Sequence, residues 1–214
     1  MEEDFAILMA DLSGYTALTE THGPHGAADM VEKYISIVQD CLVGDSHLHG
    51  VVGDEIIVIS SSPDHLMYTT LLLIQKTSKE EKFLQVHGGL HFGKILKRNN
   101  NYFGTTINLA SRITNQAAPG TFWCSHEYVR ALSDSSAFTF ESKGKHRFKN
   151  ISEENEVFEL ITDHPKAFTI DPVCRMIISD EENAVQHPEM AGLLFCSDHC
   201  MEIYRRNKEK QDVN

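Results

Sequence analysis

The stretch Phe5-Ala-Ile-Leu-Met-Ala-Asp11-Leu-Ser-Gly-Tyr-Thr16 decides the fold of this chain. Phe5 to Ala10 is an unbroken apolar run, short for a core helix and of the right length for a buried strand. It ends on a carboxylate, Asp11, and then on the turn pair Ser13-Gly14. A second such arrangement follows at His49-Gly-Val-Val-Gly-Asp54-Glu-Ile-Ile-Val-Ile59, where two β-rich runs meet at Gly53-Asp54 and read as a hairpin. In a ferredoxin-like sheet the first strand and this hairpin are neighbours, so the carboxylates of Asp11 and Asp54 can converge. Paired carboxylates at strand ends suit Mg²⁺, a hard cation that takes oxygen ligands and shares itself with phosphates. Taken singly, Asp11 also reads as a turn cap and Asp54 as a plain hairpin-turn residue.

Working outward, Ala28, Val31, Ile35, Val38 and Leu42 fall at helical spacing from about Gly26 to Cys41. A second helix is expected from Asp64 to about Lys76. Gln85 to Phe92 and Gly93 to Lys97 read as a pair of strands, and Arg98 to Tyr102 as a polar turn. Thr106 to Gln116 reads as a helix with Asn108 and Arg112 four residues apart on one face. Short strands follow at Phe122 to Cys124, Phe138 to Phe140 and Val157 to Ile161. Such a mixture predicts an α+β fold, a ferredoxin-like mixed or antiparallel sheet with helices on one face. The polar, proline-containing stretch Asp163 to Phe168 divides a main domain, 1–163, from a small cysteine module at 168–207 and a charged tail at 208–214.

The formal net charge of −12 argues against general attraction to nucleic acid or anionic lipid. No run approaches the roughly 20 apolar residues of a membrane span. The acidic start, Met1 to Asp4, and the short apolar run after it are unlike a signal peptide. A cytoplasmic protein without a membrane partner is therefore expected. Cys41 and Cys124 stand alone, whereas Cys174, Cys196 and Cys200 gather near the C-terminus. In a reducing compartment such a cluster reads as metal or redox chemistry before it reads as a disulfide framework.

Six blocks, in order, carry a resemblance. FAILMADLSGYT (Phe5 to Thr16), VVGDEIIV (Val51 to Val58), VHGGLHFGKI (Val86 to Ile95), NYFGTTINLASRI (Asn101 to Ile113), APGTFWCS (Ala118 to Ser125) and GKHRFKNISEENEVFEL (Gly144 to Leu160) resemble the catalytic domain of class III adenylate and guanylate cyclases. The resemblance implies that Asp11 and Asp54 hold two Mg²⁺ or Mn²⁺ ions, with the backbone carbonyl of Leu12 as an added ligand. It implies that Asn108 orients the ribose, that Arg112 steadies the transition-state phosphate and that Lys149 is a second phosphate cation. The reaction implied is attack of a 3′-hydroxyl on the α-phosphorus of ATP or GTP, a phosphorus–oxygen lyase activity. Because such sites draw their two halves from different subunits, a homodimer is implied as well.

Two positions depart from the family pattern. Where family members commonly read the purine with a lysine and an aspartate, this chain has Gly50 and Asn101. Gly50 offers no side chain, though His49 is adjacent, and Asn101 keeps hydrogen-bonding capacity without charge. The choice between ATP and GTP is therefore not legible. With the metal and transition-state positions retained, an active cyclase is favoured, its output expected to respond to the metal or redox state of the C-terminal cysteine module; the alternative is a catalytically degenerate cyclase-fold dimer that binds nucleotide as a regulator or scaffold.

The C-terminal Asp171-Pro-Val-Cys174-Arg-Met176 and Leu194-Phe-Cys196-Ser197-Asp-His-Cys200 resemble the YHS domain, a short metal-associated module, with Arg175 where that pattern has Gly. Thiolates are soft ligands that suit Zn²⁺ or Cu⁺. Three cysteines leave a tetrahedral site one ligand short, for which His199, His187 or a water is expected. A packed, reduced, metal-free module is the plain alternative. A third functional reading makes metal handling the main task, with the larger domain serving to dimerise it.

Overall fold

β1 (Glu2–Ser13) is buried on both faces from Phe5 to Ala10, as an unbroken apolar run requires of a central strand. It pairs antiparallel with β3 (Glu55–Ser60) on one side and with β4 (Gln85–Arg98) on the other. β2 (His47–Val52) completes a hairpin with β3. Beyond β4 lie β6 (Phe122–Ser125), β8 (Glu154–Ile161) and β7 (Thr139–Arg147), so that the sheet runs β2-β3-β1-β4-β6-β8-β7, with β5 (Asn101–Phe103) attached to β4. The β4–β6 pair is parallel and the others antiparallel. The computed structural model describes residues 2–99, 101–163 and 168–212. The inner residues of the expected boundary, His164 to Ala167, lie outside the described residues, as do Asn100 of the polar turn and the last two residues of the tail.

The helices are α1 (Tyr15–Cys41), α2 (Pro63–Thr77), α3 (Thr105–Gln116), α4 (His126–Ala131) and α5 (Asp198–Asp212). α2 starts where its sequence dictates: the Ser62 side chain accepts from the N–H of His65, and Pro63 occupies the first turn. Ala6, Leu8, Ala10 and Leu12 of β1 face α1, α2 and α4, meeting Leu18, Tyr34, Leu66 and Tyr128 in one core. Phe5, Ile7 and Met9 point the other way, toward Tyr102 and Ala110.

The mixed α+β sheet matches the expectation, and three helices share one face. α3 departs from the one-face arrangement by lying across the opposite face. Gly89 of β4 explains how: an added Cβ there would come within 2.5 Å of the backbone nitrogen of Thr114 and 2.8 Å of the Ala110 carbonyl. The helix thus rests directly on bare strand backbone, and the Thr114 hydroxyl donates to the Met9 carbonyl at 3.0 Å.

Two further differences have local causes. Gln85 to Lys97 forms one strand where a pair was expected, because Gly93 stays in the ladder opposite Phe5 instead of turning. The hairpin comes later, around Asn99 (φ 51), where β4 meets β5. α1 begins at Tyr15, well before Gly26, because a kink at Gly23 (φ 73, ψ 176) ahead of Pro24 interrupts it and hides its first turns from a periodicity reading. The C-terminal segment, with short strands β9 (Thr169–Ile170), β10 (Ile177–Ile178), β11 (Val185–Gln186) and β12 (Leu194–Phe195), docks on the main sheet: the Ile177 N–H donates to the Phe83 carbonyl at 2.7 Å and Met176 packs against the larger core. Among the described residues no helix is long and apolar enough to cross a membrane.

Gly89→Ala places a methyl group against backbone atoms that have no room to yield. Overpacking of this kind costs about 1–3 kcal/mol, and urea unfolding followed by circular dichroism should show the midpoint fall by a corresponding amount.

Candidate active site

Asp11 sits near the end of β1, in register with His87 of β4. Asp54 follows the Gly53 turn at the head of β3, and the β1–β3 pairing carries it back to Asp11 and Leu12. The Asp54 carboxylate accepts from the N–H of Leu12 and from its own N–H, yet its pKa is pushed up to about 7, first by burial and then by the hydrogen bond and charge of Asp11. Asp11 Oδ1 is buried without a hydrogen-bond partner. Two carboxylates held this closely hold a proton between them unless a cation replaces it. An orphaned anionic oxygen beside a reluctant carboxylate is the donor set a hard divalent cation fits.

The groups that respond to the pair are a phenol, a further carboxylate and an imidazole. Burial, then the charges of Asp11 and Asp54, raise the Tyr34 phenol well above its ordinary value. Burial and Asp54 raise Glu55. Burial lowers His87 against the pull of Asp54, leaving a neutral ring bonded to Ser13 Oγ at 2.8 Å.

The other expected site residues make no hydrogen bond or ion pair with these two carboxylates among the described residues. Asn108 is exposed and Arg112 half-buried on α3, and the side chains of both make no hydrogen bond or ion pair within the described residues. Lys149 is exposed in the turn after β7. Gly50 lies at an irregularity in the β2–β3 ladder with open space beside it. The Asn101 amide donates to the Asn99 carbonyl at 3.3 Å. His49, adjacent to Gly50, stands edge-on to the Tyr102 ring with centroids 4.8 Å apart. That contact brings the neighbours of Gly50 and Asn101 together across the sheet.

The cysteines form a second cluster. Cys174 Sγ lies 3.5 Å from Cys196 Sγ, which lies 3.5 Å from Cys200 Sγ. Hydrogen bonds among the sulfurs hold the Cys200 thiol well below its ordinary value and push Cys174 above it. The two histidines expected to complete the cluster are engaged elsewhere: a ring nitrogen of His199 lies 3.2 Å from the Thr21 carbonyl, and His187 Nδ1 accepts from the N–H groups of Glu189 and Met190. His22 of α1 approaches instead, its Nε2 3.8 Å from Cys200 Sγ. Sequence spacing gave no hint of it beyond a histidine set directly before the Gly23-Pro24 break.

Comparison with known proteins fixes the class. Residues 1–162 match the family described as the adenylate and guanylate cyclase catalytic domain, and the chain belongs to that family. An uncharacterized protein of Mycobacterium tuberculosis is 33% identical over 159 residues, covering 74% of this chain and 41% of its own length. An adenylate cyclase of Glutamicibacter nicotianae is 31% identical over 117 residues, covering 54% of this chain and 29% of its own length. The chain thus spans less than half the length of these relatives. Among solved structures, the fold is similar to an adenylate cyclase from Trypanosoma brucei (TM-score 0.67, 17% identity, covering 73% of this chain and 89% of that one). It is also similar to the guanylate cyclase domain of RhGC from Catenaria anguillulae in complex with GTP (TM-score 0.65, 14% identity, covering 76% and 98%).

The raised Asp54 pKa sets a pH dependence for chelator-treated protein. The folded chain keeps a proton that the unfolded chain releases near pH 3.8, so the stability it contributes is complete below 3.8 and is lost as pH rises through about 7. Asp54→Asn removes both the titration and the repulsion. The variant should melt higher than wild type at about pH 8, and the gap should narrow steadily as pH falls from about 7 toward 3.8, as read by calorimetry in chelator.

Proposed function

We propose that this chain is a nucleotidyl cyclase that converts ATP or GTP to the 3′,5′-cyclic nucleotide and pyrophosphate at the interface of a homodimer. One observation supports the reading: a converged carboxylate pair with an orphaned Asp11 oxygen, and, on a helix across the sheet, Asn108 and Arg112 whose side chains have no hydrogen-bond or ion-pair partner among the described residues. Each is half of a phosphoryl-transfer site. Exposed apolar side chains supply an interface, with Val51 and Val52 at the β2–β3 hairpin and Leu96 and Phe103 cross-paired between β4 and β5.

The roles follow from the chemistry of each group. Asp11 and Asp54, with the Leu12 carbonyl, would hold two Mg²⁺ or Mn²⁺ ions. Such ions, when bound, acidify a hydroxyl and neutralise developing phosphate charge. The 3′-oxygen bonds to the α-phosphorus, its proton leaves, and the bond to the bridging oxygen breaks to release pyrophosphate. Asn108 of the second protomer orients the ribose through its amide. Arg112 offers its planar fork to the phosphate oxygens where charge builds, and Lys149 adds a second cation. Positioning of the two reacting oxygens supplies much of the remaining rate gain.

Base selection is weaker by construction. Gly50, with open space beside it, adds no side chain at one base-reading position and Asn101 supplies an uncharged amide at the other, and a pocket discriminates well only where its polar groups pair with substrate. That opening also favours a second reading, a nucleotide-binding dimer without turnover.

Purified full chain incubated with ATP or GTP and Mn²⁺ or Mg²⁺ should yield cyclic product, with Asp54→Ala inactive and Arg112→Ala lowered about 10²–10³-fold. Mixing those two variants should restore about a quarter of wild-type activity, because half of the dimers are mixed and each mixed dimer has one intact site. Absence of product with both nucleotides, alongside measurable nucleotide binding, would establish the second reading instead.

A further inference from the structure

The thiol cluster includes a ligand that its own segment does not provide. His22 Nε2 and the sulfurs of Cys174, Cys196 and Cys200 all lie within 4.8 Å of one another. Tetrahedral Zn–S bonds of about 2.3 Å place neighbouring ligand atoms about 3.8 Å apart. The contacts here are 3.5 Å, 3.5 Å and, from His22 to Cys200, 3.8 Å. A disulfide would need about 2.05 Å, and all the cysteines are free.

The frame around these atoms is built. Asp171 is fully buried, and its carboxylate accepts from the N–H groups of Val173 and Cys174 through one oxygen and of Cys196 through the other. One side chain therefore ties together both cysteine-bearing strands of chain. Ser197 Oγ accepts from the Cys200 N–H at 3.3 Å at the start of α5. On the other side, the ring of His199 rests against the backbone of Thr21, next to His22. The kink at Gly23 falls on the residue directly after the histidine.

We propose that His22, Cys174, Cys196 and Cys200 form a closed tetrahedral site for Zn²⁺, which clasps the cyclase helix α1 to the C-terminal segment. Three thiols lose their protons to the solvent on binding, and the neutral imidazole gives its Nε2 lone pair. No coordination position remains open, so the site is structural and not hydrolytic. The clasp bears on the active site by a short path. Arg175, held at φ 68 beside Cys174, presses its Cβ and Cγ against Gly14, leaving no space there for a side chain. Gly14 caps α1 and stands three residues beyond Asp11. Zinc occupancy thereby fixes the β1–α1 turn that follows the carboxylate pair; this last step rests on the cyclase reading, whereas the site itself does not.

The full chain, stripped by chelator under reducing conditions, is titrated with Zn²⁺ and, separately, with Co²⁺. We expect one tightly held ion, and a Co²⁺ spectrum with thiolate charge transfer and the strong visible bands of tetrahedral geometry. His22→Ala should weaken binding by about 100-fold or more, because losing a ligand costs at least as much as losing the outer partners that orient one. His22→Cys should restore binding and increase the charge-transfer intensity by a fourth thiolate. Hydrogen exchange in α1 should slow on zinc addition in wild type and not in His22→Ala. Equal zinc affinity in wild type and His22→Ala would overturn the clasp and confine the site to the C-terminal segment. Absence of stoichiometric binding would overturn the site altogether. These readouts need no turnover, so they fail or succeed apart from the cyclase assay.

Discussion

Two carboxylates held in contact near the end of a buried strand are the constraint on which the rest of this molecule depends. β1 is apolar on both faces from Phe5 to Ala10, so it belongs at the middle of the sheet, and that run ends on Asp11. β3 must pair with β1 to bury Ile56 and Val58, and that register leaves Asp54 nowhere to go but beside Asp11 and Leu12. The hydrophobic pattern thus enforces an electrostatic conflict. Burial deepens it, because the partly desolvated pair has little water to screen it. Strain of this kind persists only when the surrounding packing overdetermines it, and here two ladders and two cores do so.

The placement of α3 is the second consequence of the same sheet. Glycine at position 89 lets the helix lie on bare backbone, and its outer surface then carries Asn108 and Arg112 away from the main core. An arginine left without an anionic partner on a chain of net charge −12 is notable, because acidic neighbours are plentiful. A guanidinium kept free of local carboxylates stays available to an incoming phosphate. Among the described residues the carboxylate pair forms no ion pair with Arg112, which on the cyclase reading leaves both groups available to a second protomer.

Much of this was legible in the sequence, and the exceptions are instructive. Strand β1, the β2–β3 hairpin, α2 and α3 were readable because each carries its periodicity or turn chemistry locally. Asp11 and Asp54 were readable as a pair because neighbouring elements bring them together. The course of β4 is not legible because glycines that serve close packing look the same in sequence as glycines that serve turns; Gly93 stays in the ladder, while the turn falls at Asn99. The periodicity of α3 is legible but its face is not, since nothing local reports which face a helix takes. His22 is hidden for a different reason. Metal spacing is visible when ligands share a segment, as Cys196 and Cys200 do, and invisible when a fold supplies one from its far end.

The two clusters differ in kind, and that difference lets one chain keep them separate. Asp11, Asp54 and a carbonyl are hard oxygen donors, while the second cluster offers three thiolates and an imidazole. By affinity alone Zn²⁺ outcompetes Mg²⁺ at almost any protein site, so ligand softness and geometry must do the sorting. On the zinc and cyclase readings, a closed tetrahedral cage of soft donors would take zinc at concentrations too low to occupy a carboxylate pair completed by substrate phosphates, and the carboxylates would be left to the abundant hard cation. On the readings proposed above, the connection between the clusters is mechanical, not an exchange of ions, and it runs through Gly14. Only a residue without Cβ admits Arg175 at that turn, and the turn begins where the central strand stops.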